Sequence, residues 1–232
     1  MKPLAKFQKN PIINSIRLCV FIVSALPIFW LAFHYYFNSL GLNPFETIMA
    51  TTGHNALIFL LLSLLITPLR RWLINIFRWI NRIKWGKRLS DWNILIKLRR
   101  MLGIYSFVYA TLHMLAYFHL ELAWIYEEIA WELNARPFIN IGLICWCLLF
   151  LLTLTSPKFM QKKLKKWWRT LHRLVYPLGI LACLHFWLST KETNSYPFYY
   201  ALILSVLLGH RFIVAYLPKT LRIHDDGLET KR

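Results

Sequence analysis

Imidazoles set inside apolar stretches are the feature of this sequence with the most chemistry in it. His113 and His185 each lie deep in a long hydrophobic block, and His172 lies near the start of the second of these blocks. An ionisable group at such depth is costly and is as a rule there for a function. At about 1.5 Å of rise per helical residue, His113 comes about 20 Å past Arg100 and His185 about 24 Å past Arg169, whereas His172 comes only about 5 Å past Arg169. Two histidines on different helices therefore share a level, and a third marks the opposite face.

Two imidazoles on facing helices are what a low-spin iron porphyrin takes as axial ligands, and helix-bundle cores are natural places for such a b-type haem. His172 and His185 are separated by about 20 Å of helix, a spacing that suits two stacked haems, although about 140° of rotation divides the two side chains. Pro177, followed by Gly179, offers a kink that would restore the phase. Fourteen residues before His113 stands Arg99. Its guanidinium stays protonated and is a poor iron ligand, but it suits a haem propionate or a flavin phosphate. A membrane histidine can also serve only as a helix–helix hydrogen-bond partner, and that alternative stands beside ligation for each of the three. His54 lies at a depth similar to His185 and reads as an outer polar contact, with a ligand or quinone role as the alternative. His34 reads as an outer polar contact, His119 as interfacial, His210 as a packing partner near Arg211, and His224 as a tail residue.

The elements that must carry these groups follow from hydropathy. The 232 residues are 57% hydrophobic and 16% charged, and the mean hydropathy is +0.43. The apolar residues gather into blocks near the ~20 residues that a helix needs to cross a bilayer core. In lipid the backbone must satisfy its own hydrogen bonds, so the blocks are expected as helices. Six spans are expected at about 16–37, 54–69, 101–120, 138–156, 168–188 and 198–217, within a single transmembrane domain covering 1–232. Prolines 44, 68, 137, 157, 197 and 218 lie at or just beyond block boundaries. The first block is too long for the hydrophobic part of a cleavable signal.

All of the 28 lysines and arginines except Arg136 and Lys191 fall on one side of this arrangement. That asymmetry places both termini in the cytoplasm. It also accounts for the net charge of +18 through topology and lipid headgroups, so nucleic acid is not an expected partner. A stretch at about 72–96, with Trp72, Ile76, Trp79, Ile80 and Ile83 at helical spacing, reads as an amphipathic helix in the inner interface. It is either structural or a dock for an electron donor or an anionic flavin. The outer loop with Trp124, Glu127, Glu128, Trp131 and Glu132 reads either as a dock for a partner subunit or as a solvated loop or short interfacial helix with belt aromatics. Cys19, Cys145, Cys147 and Cys183 fit no zinc motif or disulfide framework and read as buried small hydrophobes. No glycine-rich nucleotide fingerprint is present, so NAD(P)H binding is not expected. The absence of acidic residues within the spans argues against a transporter.

The stretches Leu42-Asn43-Pro44 to Thr52-Gly53, Leu65-Ile66-Thr67-Pro68-Leu69, Arg99-Arg100-Met101-Leu102-Gly103 to Thr111-Leu112-His113, and Trp168-Arg169 to Leu171-His172 and Tyr176 together resemble the MsrQ family. These are haem-binding membrane subunits of bacterial periplasmic protein-methionine-sulfoxide reductase systems, within the ferric-reductase-like transmembrane superfamily. The resemblance runs over nearly the whole chain. It implies one or two b haems, FMN, and electron transfer from a cytoplasmic flavin reductase or the quinone pool to a periplasmic molybdopterin catalytic subunit. It also implies a bacterial inner-membrane location and repair of oxidised periplasmic proteins, with no substrate chemistry on this chain itself. The family's ligand histidines fall on His113, His172 and His185. The superfamily's fourth histidine is replaced by Arg99, which leaves the haem count open. The alternatives are a self-standing ferric or quinone reductase of the same superfamily and a non-redox membrane assembly protein.

Overall fold

A computed structural model of the chain describes residues 11–79, 93–190 and 195–216. In chain order the elements are α1 (Pro11–Tyr36), α2 (Pro44–Trp79), α3 (Asn93–Ala116), a π turn (Tyr117–Glu121), α4 (Tyr126–Ala135), α5 (Pro137–Leu154), α6 (Lys158–Leu171), a 3-10 turn (His172–Leu174), α7 (Val175–Ser189) and α8 (Tyr196–Tyr216). No strand occurs among the described residues. Among the described residues, six stretches are long and apolar enough to cross a membrane: Asn14–Tyr36, Pro44–Leu73, Lys97–Glu121, Pro137–Leu154, Lys158–Ser189 and Tyr196–Val214. The chain is an all-α membrane protein built on six such helices, as its hydropathy indicates.

Local sequence explains where the helices begin. Asn43 caps α2: the amide of Glu46 donates to Asn43 Oδ1 at 3.3 Å, and Asn43 Nδ2 donates back to Glu46 Oε2 at 3.2 Å. Pro44 between them occupies the first helical position, where the missing N–H costs nothing. Pro137 opens α5 in the same way.

Two proline readings need correction. Pro68 does not end a helix, because α2 runs through it to Trp79. A proline there removes the N–H that would reach the carbonyl of Leu64. That carbonyl accepts instead from Arg211 Nη2 at 3.0 Å, a guanidinium on α8. A neighbouring helix thus repairs the ladder, which is how internal prolines survive in membranes. Pro177, in turn, does not kink one long helix between His172 and His185. It sits in the first turn of α7, and the segment just before it tightens into the His172–Leu174 turn, since the Arg173 carbonyl loses its helical donor. His172 therefore caps α6 and is not on the α-helix that carries His185. Of the stretch expected as an interfacial helix, residues 72–79 belong to α2 and 93–96 to α3; residues 80–92 lie outside the described residues, as does His224.

Packing organises the helices into two antiparallel pairs. The first, α2 with α3, has the most extensive contact in the molecule; the second is α5 with α7. Ser106 on α3 donates to the Ala56 carbonyl on α2 at 2.8 Å. The indole of Trp146 on α5 donates to Thr111 Oγ1 on α3 at 3.0 Å and links the pairs. Leu57, Leu60, Leu64, Cys145, Leu178 and Leu204 are among the residues of the core shared by α2, α5, α7 and α8. Helix α1 lies outside and is held by two phenols of α3: Tyr105 donates to Phe21 O at 3.0 Å and Tyr109 to Ser24 O at 2.8 Å. Its other face is exposed apolar surface, including Phe29 and Phe33. Cys145 and Cys183 are buried, whereas Cys19 and Cys147 face outward; all four are free thiols, and the expectation that all are buried holds for two.

Candidate cofactor site

Between the two helix pairs lies a cavity of about 730 Å³, within the ~300–1,000 Å³ range of small-molecule and cofactor sites. Its walls are mostly apolar, with Leu57, Leu60, Leu149 and Leu178 at one end and Tyr117, Phe118 and Phe138 towards the other. Helix α3 brings His113 into this cavity and α7 brings His185. The two ring centroids are 6.3 Å apart, and the ring planes cross at 89°.

Each ring is held by one nitrogen. His113 Nδ1 donates to the Met49 carbonyl on α2 at 3.1 Å. His185 Nδ1 donates to the Phe138 carbonyl on α5 at 2.8 Å. A carbonyl only accepts, so the proton resides on Nδ1 in both rings, and each Nε2 keeps its lone pair for a ligand. Thr52 lies 3.3 Å from His113 Nδ1. Its hydroxyl proton is directed to Ile48 O at 2.7 Å, so its oxygen can only accept from the same Nδ1–H.

Both acceptor carbonyls stand four residues before a glycine, Met49 before Gly53 and Phe138 before Gly142. On a helix the side chain at position i+4 leans back over the carbonyl of residue i. A glycine there leaves the carbonyl open to a second donor from the next helix. A Cβ built on Gly53 would lie 3.0 Å from His113 Cε1 and 3.1 Å from Nδ1; on Gly142 it would lie 2.8 Å from His185 Cε1 and 3.0 Å from Nδ1. The same notch, a carbonyl with a glycine one turn on, is therefore built twice, once in each helix pair.

This donor set suits an iron porphyrin. Two coaxial imidazoles sharing a metal would have centroids about 6 Å apart, given bonds of about 2 Å and about 1.1 Å from nitrogen to ring centre. The observed 6.3 Å fits that, the notches hold both rings through Nδ1 and leave Nε2 for a ligand, and the walls are mostly apolar. Orientation of a ligating imidazole by a hydrogen bond from its other nitrogen is the usual arrangement at metal sites.

The other candidates lie elsewhere. His172 is at the opposite end of the bundle, its Nε2 3.3 Å from Thr155 Oγ1 and its ring 4.3 Å from that of Trp168. Arg99 and Arg100 lie within electrostatic reach of it. His54 lines the main cavity, donates from Nδ1 to Ala50 O at 2.7 Å on its own helix, and packs against Phe186, Tyr196 and Tyr200. His34 pairs with Ser39 Oγ at 2.7 Å, His119 accepts from the Trp124 indole at 3.3 Å, and His210 packs on Trp72. In the outer loop Trp124, Glu127, Glu128 and Trp131 are exposed. Glu132, grouped with them from the sequence, is buried instead: it accepts from the Tyr117 hydroxyl at 2.9 Å and pairs with Arg136 at 3.3 Å.

Reading the sequence for chemistry picks out the imidazoles but passes over Gly142 and the carbonyls of Met49 and Phe138. A signal existed for the glycine. The chain has only 8 glycines, and an isolated one inside an apolar helix marks a close approach.

Comparison with known proteins agrees with this architecture. Residues 52–183 match the family described as "Ferric reductase like transmembrane component". A protein of Xanthomonas oryzae pv. oryzae (strain MAFF 311018), named "Protein-methionine-sulfoxide reductase heme-binding subunit MsrQ", is 40% identical over 183 residues, 79% of this chain and 76% of that one. A protein of the same name from Salmonella arizonae is 38% identical over 199 residues, 85% of this chain and 91% of its own length. A third, from Xanthomonas euvesicatoria pv. vesicatoria, is 40% identical over 79% of this chain and 76% of its own. With a six-helix membrane fold and relatives of this likeness along most of its length, the chain belongs to the ferric-reductase-like transmembrane family, in its MsrQ branch.

Proposed function

We propose that this chain is the membrane electron carrier of a protein-methionine-sulfoxide reductase system, with a b haem held between His113 and His185. One observation carries the reading: two imidazoles from different helix pairs stand 6.3 Å apart, each locked through Nδ1 to a carbonyl. The names of the relatives, heme-binding subunits of such a reductase, support it.

When bound, the haem supplies a one-electron couple whose potential is set by its axial ligands and burial. The chain's residues do the rest. Met49 O and Phe138 O keep the Nδ1 protons in place, Gly53 and Gly142 leave room for the rings, and Leu57, Leu60, Leu149 and Leu178 give the cavity an apolar wall. Nothing in this site calls for bond-making on a substrate.

The wider reading places the chain in a bacterial inner membrane with both termini cytoplasmic. Electrons enter from a cytoplasmic flavin reductase, with FMN as a further cofactor, or from the quinone pool. They leave to a periplasmic molybdopterin catalytic subunit that repairs oxidised proteins. Trp124, Glu127, Glu128 and Trp131, exposed beside the cavity end of the bundle, are the proposed dock. A second haem at the inner end would take His172 as a ligand once its ring leaves Thr155.

The test is reconstitution of the purified chain in liposomes, with a reduced flavin or quinol donor and the catalytic subunit on opposite sides. The expected outcome is methionine sulfoxide reduction that needs the chain and is lost in His113→Ala. Ferric or quinone reduction with no transfer into the catalytic subunit would overturn the proposal in favour of a self-standing reductase.

A further inference from the structure

At the end of the bundle away from the His113–His185 cavity, cationic side chains from three helices converge. Arg211 on α8 donates to Leu64 O at 3.0 Å and to the Tyr176 hydroxyl, with its guanidinium 4.8 Å over the Tyr176 ring. Arg99 on α3 lies within electrostatic reach of both Arg211 and Tyr176, and Arg100 within reach of His172. Antiparallel pairing of α2 with α3 puts Arg99 near the level of Leu64, the residue that Arg211 touches: Ser106, about two turns after Arg99, pairs with Ala56, about two turns before Leu64. Arg70, at the same end, has a buried Nε with no hydrogen-bond partner among the described residues, and so does Arg211.

No counter-charge answers this cluster from within the described residues. Their carboxylates are Glu46, Glu121, Glu127, Glu128 and Glu132, all at the opposite end of the helices. Guanidiniums at one level in a partly buried, low-dielectric site repel each other, and the unspent Nε donors of Arg70 and Arg211 add to the cost, so the arrangement favours an anion. Arginine pairs give planar, bidentate recognition of phosphate. The position fits as well. Arg70 is the first charge after the apolar run of α2 and Arg99 stands just before that of α3, which is the level of a leaflet's phosphate groups.

We propose that Arg99 and Arg211 form a phosphate-binding site between α2, α3, α7 and α8, at the end of the bundle opposite the histidine cavity. Two sources supply such a phosphate: the phosphomonoester of a flavin mononucleotide and the phosphodiester of an anionic phospholipid. The flavin arm rests on the electron-carrier reading; the lipid arm does not.

The experiment uses the full-length protein in nanodiscs, with Arg99→Gln, Arg211→Lys and, as a control at the other end, Arg136→Gln. Fluorescence titration compares FMN with riboflavin, which lacks the phosphate. Native mass spectrometry compares retention of phosphatidylglycerol with that of phosphatidylcholine. The expected result is a preference for one phosphate-bearing probe that falls about tenfold or more in Arg99→Gln. It should be weakened less in Arg211→Lys, which keeps the charge, and stay unchanged in Arg136→Gln. Loss of the FMN preference identifies the flavin phosphate, and loss of the phosphatidylglycerol preference identifies the lipid. If neither preference differs between wild type and Arg99→Gln, or Arg136→Gln loses it equally, the site is refuted. Neither readout needs a haem spectrum, so failure here is distinguishable from failure of the haem assignment.

Discussion

Gly142 and His185 are in such close register that a Cβ on the glycine would lie 2.8 Å from the ring's Cε1. The ring can donate to Phe138 O only because position 142 has no side chain. Gly53 and His113 repeat the relationship with a contact of 3.0 Å. Ligand orientation in this protein is thus delegated to two backbone notches, and the imidazoles need no carboxylate partner to fix their tautomer.

Gly142→Ala should push the His185 ring off its carbonyl and lower haem affinity by about 10–100-fold, the usual cost of losing an outer-shell partner of a ligand. Gly53→Ala should act in the same direction and more mildly, since its contact is looser. The haem-to-protein ratio of the purified variants measures both. A Gly142→Ala protein that loads haem like wild type would show that the notch is not needed.

Pro68 and Arg211 should be energetically coupled. Arg211→Gln strands the Leu64 carbonyl that Pro68 cannot serve, at a cost of about 1–3 kcal/mol. In a Pro68→Ala background the alanine N–H takes over that carbonyl, and the same arginine substitution should cost less. Thermal unfolding of the four proteins in one detergent gives the cycle. Additive effects would contradict the repair described for α2.

Tyr109→Phe removes the phenol that ties α3 to Ser24 O across 2.8 Å. Interhelical hydrogen bonds in membranes average about 0.6 kcal/mol and reach about 1.7, so a modest fall in melting temperature is expected. Proteolysis of the α1 connection should speed up at the same time. Unchanged values in both assays would mean that α1 is held by apolar packing alone.

Much of the fold is legible in the sequence because hydropathy in a membrane protein reports directly on a one-dimensional quantity, the span. The level of His113 and His185 follows from the same arithmetic. Details that depend on partners across space are not legible. Pro68 reads as a helix end until Arg211 is seen to serve Leu64 O. Glu132 reads as solvent-exposed until Tyr117 and Arg136 are seen around it. His172 reads as part of the His185 helix, but the 3-10 turn at His172–Leu174 separates them, set by the N–H that Pro177 lacks. In each case a local signal was right about chemistry and silent about which neighbour would answer it.

Orientation is open to a separate check. Reporter fusions at residues 1 and 232 should be active only as cytoplasmic reporters, and fusions in the 121–136 connection only as periplasmic ones, given the skew of basic residues. The reverse pattern would invert the direction of electron flow proposed above.

The ligand assignment itself is tested most directly by low-temperature electron paramagnetic resonance of the oxidised, purified protein. Ligation by His113 and His185 predicts a low-spin signal of two-imidazole ligation that disappears in His113→Ala and again in His185→Ala, while His172→Ala leaves it in place. Full wild-type signals in both His113→Ala and His185→Ala would contradict it.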